Sequence, residues 1–100
     1  MRRQNGYHSK RRLQQHIAEL TSLTKNLAPE AEILDVFIPG YEELDAWIDI
    51  VVPDAKEEKV SEALSQRRYE IFSTDDFFIG LGITERSQYE ARRTQEKPVV

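Results

Sequence analysis

The chain of 100 residues contains no cysteine. This absence excludes disulfide bonds, thiolate catalysis and cysteine-ligated zinc sites. No apolar run approaches the roughly 18 residues that a membrane-spanning helix needs. The basic N-terminus also lacks the apolar segment of a secretory signal. Together these absences predict a soluble, cytoplasmic protein without a membrane partner.

Apolar side chains are scarce as well. Hydrophobic residues make up 39% of the chain and charged residues 32%. A chain of this length has little apolar surface beyond one core, so we expect a single α+β domain over residues 9–85. A flexible basic arm (1–8) precedes it, and a polar tail or frayed helix (86–100) follows it. We expect no cofactor, because Gly80 and Gly82 lie inside a predicted strand rather than at a strand-to-helix turn.

The segment Asp45–Pro53, DAWIDIVVP, is the clearest β-strand in the sequence. Side chains alternate between the two faces of a strand. The even-numbered positions form an apolar face for the core: Ala46, Ile48, Ile50 and Val52. The odd-numbered positions mix charge with large apolar groups: Asp45, Trp47, Asp49 and Val51. The strand therefore predicts a sheet with one ordinary core face and one unusual second face.

A strand is also predicted over Ala31–Pro39, joined to DAWIDIVVP by a five-residue link that contains a glycine. The two strands form an antiparallel hairpin. Its upstream strand presents these residues to the core: Leu34, Val36 and Ile38. One register places Phe37 opposite Trp47 and Asp35 opposite Asp49. Registers shifted by two residues keep both faces and separate the aspartates, and like-charge repulsion favours them slightly.

Two helices and a further strand complete the predicted domain. The first helix spans Ser9–Lys25, and the second begins with Asp54 as its N-cap, followed by Glu57 in a capping box. Tyr69–Phe72 is predicted as a short strand or as an extended approach to one, and Phe77–Thr84 as a longer strand. The longer strand alternates a core face with a second face that carries Phe78, Gly80, Gly82 and Thr84.

The predicted element order is α-β-β-α-(β)-β. Both helices can lie on the core face of a small antiparallel sheet, which gives a two-layer sandwich of the ferredoxin-like kind. The second face of that sheet, as we use the term below, consists of Ile33, Asp35, Phe37, Trp47, Asp49, Val51, Phe78, Gly80 and Gly82.

The second face is too apolar for a surface exposed to water, and such patches mark binding surfaces or oligomer interfaces. It predicts a small non-catalytic module that binds a protein partner or small ligand there and self-associates as a homodimer by stacking two sheets. Two alternatives stay open on sequence alone. A C-terminal helix from residues 85–96 covers the face, or the face forms a ligand pocket.

Charge offers a nucleic-acid alternative. Residues 1–26 carry six basic residues and one acidic residue, whereas residues 30–58 carry ten acidic residues and one basic residue. A basic arm of this kind can contact nucleic acid, and the arm residues concerned are Arg2, Arg3, Lys10, Arg11 and Arg12. The acidic body opposes this reading because it repels phosphates.

Asp35 and Asp49 offer a third alternative, a metal-dependent enzyme. Two carboxylates on one sheet face can hold a divalent cation or share a proton. A metal site needs further ligands, and neither a histidine nor a third strand carboxylate is well placed in the sequence. We therefore predict no metal site and no catalytic residue.

Overall fold

A computed structural model describes residues 10–40 and 43–96 of the chain, with side chains up to residue 93. The predicted arm at 1–8 and the last residues of the predicted tail lie outside this part. The described elements are α1 (Lys10–Leu27), β1 (Glu32–Phe37), β2 (Ala46–Val52), a 3₁₀ turn (Asp54–Lys56), α2 (Glu57–Asp75), β3 (Ile79–Glu85) and α3 (Arg86–Glu96). These elements form a two-layer α+β fold.

β2, the strand of DAWIDIVVP, is the central strand of a three-stranded sheet with the order β1-β2-β3. β1 pairs with it antiparallel, as predicted, but β3 pairs with it parallel. The prediction of an antiparallel sheet is therefore wrong for β3, and the ferredoxin-like order is not confirmed. The cause lies in residues 69–72, predicted as a short strand, which continue α2 to Asp75. A single crossover helix returns the chain to its starting end, which makes the next strand parallel.

The hairpin adopts the unshifted register. Phe37 lies opposite Trp47, and Asp35 lies opposite Asp49. The weak preference for shifted registers, which rested on repulsion between these two carboxylates, is therefore wrong. At an exposed edge strand, water and salt screen the repulsion between two carboxylates, so this repulsion is too weak to set the register.

A β-bulge separates Asp35 from Ile33, which pairs with Ile50 on the core face. Leu34 becomes the extra residue of the bulge and is 42% exposed, contrary to its predicted core position. Ile33, predicted on the second face, packs against the core instead. An inserted residue reverses the alternation of the strand, so the period-two pattern fails at this point. Ile38 lies beyond the end of β1 and is 43% exposed, so its predicted core position is also wrong.

The core lies between the helices and the even-numbered face of β2. Both α1 and α2 contribute to one cluster with this face and with the odd-numbered residues of β3. Its members with no measurable exposure are Leu20, Ala31, Ala46, Ile48, Val52, Val60, Leu64 and Ile79. Phe77, 1% exposed, joins them just before β3. Among the described helices, none is both long enough and apolar enough to cross a membrane.

Lysine side chains close the C-terminal end of α1, whose last carbonyls have no partner within the helix. Lys56 Nζ donates to the Leu27 carbonyl at 3.2 Å, and Lys25 Nζ donates to the Ala31 carbonyl at 2.7 Å. Both ammonium groups also sit at the negative end of the helix dipole. α1 therefore runs two residues past its predicted end at Lys25.

Asp54 caps a different helix from the one predicted. α2 begins after a 3₁₀ turn and has no side-chain cap, whereas the Asp54 carboxylate accepts a 3.0 Å hydrogen bond from the Ser87 N–H at the start of α3. Hydrogen bonds from the Ser87 hydroxyl and N–H lower the pKa of Asp54. Since β2 and β3 run parallel, their carboxyl ends lie together, and a residue after β2 can reach the helix that follows β3.

Replacement of Asp54 by alanine tests this capping role. We expect faster amide exchange at Arg86 and Ser87 and unchanged protection in α1, measured by NMR. Because folding lowers the pKa of Asp54, the stabilisation is present above its ordinary value of about 4 and is lost as pH falls through the folded-state pKa. The two exchange profiles should therefore converge in acid. Glu58→Ala, at an exposed acid of α2, is the control, and equal Ser87 exchange in wild type and D54A at neutral pH would contradict the assignment.

Candidate functional site

The Trp47 indole lies across two glycines of the neighbouring strand. Parallel pairing places Trp47 beside Gly80 and Asp49 beside Gly82. A Cβ atom on Gly80 would lie 2.5 Å from Cε3 of the indole, and one on Gly82 would lie 2.8 Å from Cζ2. A side chain at either position would therefore have to displace the indole. The two glycines therefore form a seat for the indole, which occupies the space that their missing side chains leave on the second face.

A hydrogen bond fixes the orientation of the ring. Trp47 Nε1 donates to Oδ1 of Asp49 at 2.8 Å, two residues along the same strand. That oxygen also lies 2.6 Å from a Cβ built on Gly82. Asp49 therefore accepts the N–H of a half-buried indole, which would otherwise lose its hydrogen bond to water. This contact gives Asp49 a role in positioning Trp47.

Asp35 lies opposite Asp49 in the sheet but makes a different bond. Its Oδ1 accepts a 2.9 Å hydrogen bond from the N–H of Val36, the next residue in β1. Each of the two carboxylates thus accepts a hydrogen bond from its own donor. In the described part of the chain, no group of three or more histidine or acidic side chains could hold a metal ion.

The second face is narrower than the sequence predicted. Ile33 turns to the core at the bulge, and Val51 has no exposed surface. Phe37 and Trp47 lie side by side and are half-buried. Phe78 lies just before β3, is 38% exposed and packs against Phe72 of α2 with ring centroids 5.4 Å apart. Solvent or a partner can therefore reach Asp35 and parts of Phe37 and Trp47 on this face.

The C-terminal segment is helical, as the covering alternative required. α3 contacts β3 and β2, and the guanidinium of Arg86 at its first residue donates to the Glu30 carbonyl at 3.1 Å and to Glu32 at 3.3 Å. These contacts hold the start of α3 at the carboxyl ends of β2 and β3. Trp47 keeps part of its surface exposed with α3 in place.

A second cluster, which the sequence reasoning missed, joins α1 to the end of α2. His16 Nε2 and Oδ2 of Asp75 lie 2.7 Å apart, and Arg12 Nε donates to the same oxygen at 2.9 Å. The Arg12 guanidinium, followed by His16, holds the pKa of Asp75 below its ordinary value. His16 also packs edge-on against Phe77, with centroids 5.6 Å apart. Asp75 sits at the C-terminal end of α2, where the helix dipole disfavours an anion, and these two donors offset that cost.

The same interface continues through Arg67, which forms a bidentate ion pair with Glu19 of α1 and bonds Glu70 at 2.8 Å. The Arg67 bonds lower the pKa of Glu19. These groups connect two packed helices, so their geometry is explained by the fold. The opposite net charges of the two helices indicate that they can form ion pairs. The sequence does not show which residues pair, because Glu19 and Arg67 are 48 positions apart.

The arm residues proposed for nucleic acid fall into three groups. Arg2 and Arg3 lie outside the described residues. Lys10 and Arg11 are exposed in the first turn of α1. Arg12 is ion-paired with Asp75, so its charge is already used within the fold. Among the described residues, the basic side chains of the predicted arm are thus three consecutive ones at the start of α1, and one of the three is ion-paired.

Comparison of the chain with models of protein families, with curated proteins and with solved structures found no match.

The fit between Trp47 and Gly80 predicts an energetic coupling. Gly80→Ala should lower the free energy of unfolding by about 1–3 kcal/mol, because the new methyl group must displace the indole. In a Trp47→Ala background the same substitution should cost little, since the remaining close atom is the end of the flexible Leu44 side chain. Urea unfolding of the four proteins measures this coupling as a double-mutant cycle. If Gly80→Ala lowered the free energy of unfolding equally in both backgrounds, the contact between the indole and Gly80 would be contradicted.

Proposed function

We propose that this chain is a small non-catalytic interaction module that self-associates by stacking its second face on that of a second copy. The observation that carries the proposal is the seated Trp47: its indole rests on two glycines, its N–H is bound to Asp49, and part of its surface stays exposed. Glycines weaken a strand, and two of them here serve to expose a flat aromatic surface.

A fixed aromatic ring is well suited to an interface. Trp and Phe supply much of the binding energy at protein interfaces and have few side-chain torsions to immobilise. Trp47 has already lost its freedom in the folded chain, so binding does not have to order it again. Phe37, which lies opposite Trp47 in β1, extends the same surface. Stacking of two copies would bury these rings in a symmetric interface, the commonest kind of homodimer contact.

The carboxylates of this face limit how tightly two copies can bind. Asp35 is exposed, and a two-fold stack places a second set of carboxylates near it. Their repulsion opposes association, more so at low ionic strength. Self-association through the face is therefore expected to strengthen when salt rises or when this charge is removed.

Asp35→Asn gives a direct test, because asparagine can still accept the hydrogen bond from the Val36 N–H while the charge is lost. We expect tighter self-association than in wild type, by roughly two- to tenfold in Kd for the removal of like-charge contacts. Sedimentation velocity over a concentration series measures it. Glu62→Gln, at an exposed acid of α2, is the control for charge removal away from the face.

Phe37→Asp is the opposing variant. It removes an apolar ring from the face and adds a carboxylate, so association through the face should be lost. Tyr69→Asp, at an aromatic side chain of α2 that is 68% exposed, is the matched control. Circular dichroism verifies that both variants fold. Unchanged association in both Asp35→Asn and Phe37→Asp would overturn the proposal.

A further inference from the structure

The two edges of the sheet differ in how they are protected against pairing with another strand. An exposed strand edge can pair with a second chain, and proteins block such edges with bulges and charged side chains. β1 has both devices: Leu34 forms a bulge, and the Asp35 carboxylate accepts the Val36 N–H. This edge is therefore a poor site for strand addition.

β3 has no bulge along Ile79–Glu85, and its outer groups can be identified from two bonds. Arg68 of α2 donates to the Ile79 carbonyl at 3.3 Å. The Val36 N–H is bonded to the Asp35 side chain, so it points away from β2. When this alternation is followed through the pairing of β1 with β2 and of β2 with β3, the backbone N–H and C=O groups of Ile79 also point away from β2. Since the N–H and C=O of one residue point to the same side and alternate along a strand, those of Leu81 and Ile83 also point outward. Within the described residues, no strand pairs with this edge.

We propose that a second copy of this chain adds its β3 antiparallel to this edge, with a two-fold axis at Gly82. In that register Leu81 of one copy lies opposite Ile83 of the other, and the outward N–H and C=O groups of both residues pair reciprocally. Gly82 faces Gly82 on the axis, where the absence of side chains on the second face removes any clash. The result is a continuous six-stranded sheet with the helices of both copies on the same side.

Charge complementarity selects this register. It places the second copy's Glu85 opposite Ile79, whose carbonyl is bonded by Arg68. Glu85 shares the core-side face of β3 with Ile79, and α2 packs on that face, so carboxylate and guanidinium lie on the same side. Two such ion pairs form in the dimer. Within one chain the two groups are far apart, because Ile79 and Glu85 are six residues apart, about 20 Å along an extended strand.

This edge interface is separate from the stacking of second faces. The two-fold axis at Gly82 is perpendicular to the sheet, so both second faces lie on the same side of the six-stranded sheet. Edge pairing and face stacking can therefore coexist in a closed assembly of four copies. Each interface can be removed without changing the residues of the other.

The test uses charge reversal in the Phe37→Asp chain, in which the face is disabled. Arg68→Glu alone and Glu85→Arg alone should each weaken the remaining dimer, with Kd raised about tenfold or more, because each creates two like-charge contacts. The double variant Arg68→Glu with Glu85→Arg should restore association, since the pair is re-formed with its signs exchanged. Lys59→Glu, an exposed charge reversal on α2, is the control and should leave Kd unchanged. Sedimentation velocity measures all five chains.

Amide exchange gives a second readout that does not depend on side-chain charge. The N–H groups of Leu81 and Ile83 should exchange rapidly in dilute protein and become protected as concentration rises. Failure of the double variant to recover association, or equal exchange of these amides at all concentrations, would overturn the edge dimer. The face proposal is judged separately, from Asp35→Asn in the otherwise unchanged chain, so failure of one interface leaves the other measurable.

Discussion

The Trp47 indole lying on Gly80 and Gly82 is the constraint that fixes how β3 lies beside β2 on the second face. It requires β3 to lie beside β2 in one register, because only that register places two positions without side chains beneath the ring. The opposite face of the same two strands then receives α1 and α2 and forms the core. This one side-chain contact is possible only when β3 lies beside β2, parallel to it and in this register, and it places a half-buried aromatic ring on the second face.

Much of this arrangement was readable in the sequence. The alternation of DAWIDIVVP correctly separated a core face from a face carrying Trp47 and Asp49. Two glycines at alternate positions of a strand indicate either a bulge or the close approach of another group, and here it is a close approach. What the sequence could not supply was the identity of that group, since Trp47 and Gly80 are brought together by a crossover helix of 19 residues. The parallel direction of β3 followed from that helix, whose last turns contain the β-like letters YEIF. Tertiary packing of Ile71 in the core outweighed their local strand preference.

The other departures have local physical causes. The bulge at Leu34 moves one residue out of the alternating pattern, and such an insertion has no signature in a run of apolar side chains. Asp54 has the right spacing to cap α2, yet the start of α3 lies within its reach because two parallel strands end side by side. The link between α1 and α2 through Arg12, His16 and Asp75 joins residues about sixty positions apart in sequence, beyond any local pattern. In each case the determining neighbour is distant along the chain.

The seat of Trp47 can be tested most directly by the NMR chemical shifts of the Gly80 and Gly82 Hα protons. An indole lying over both glycines shields these protons through its ring current, so their resonances should move upfield from the values of an ordinary strand. The displacement should vanish in Trp47→Ala while the shifts of Ile48 and Ile50 on the core face persist. Ordinary Hα shifts at both glycines in the wild-type chain, unchanged by the loss of Trp47, would contradict the account.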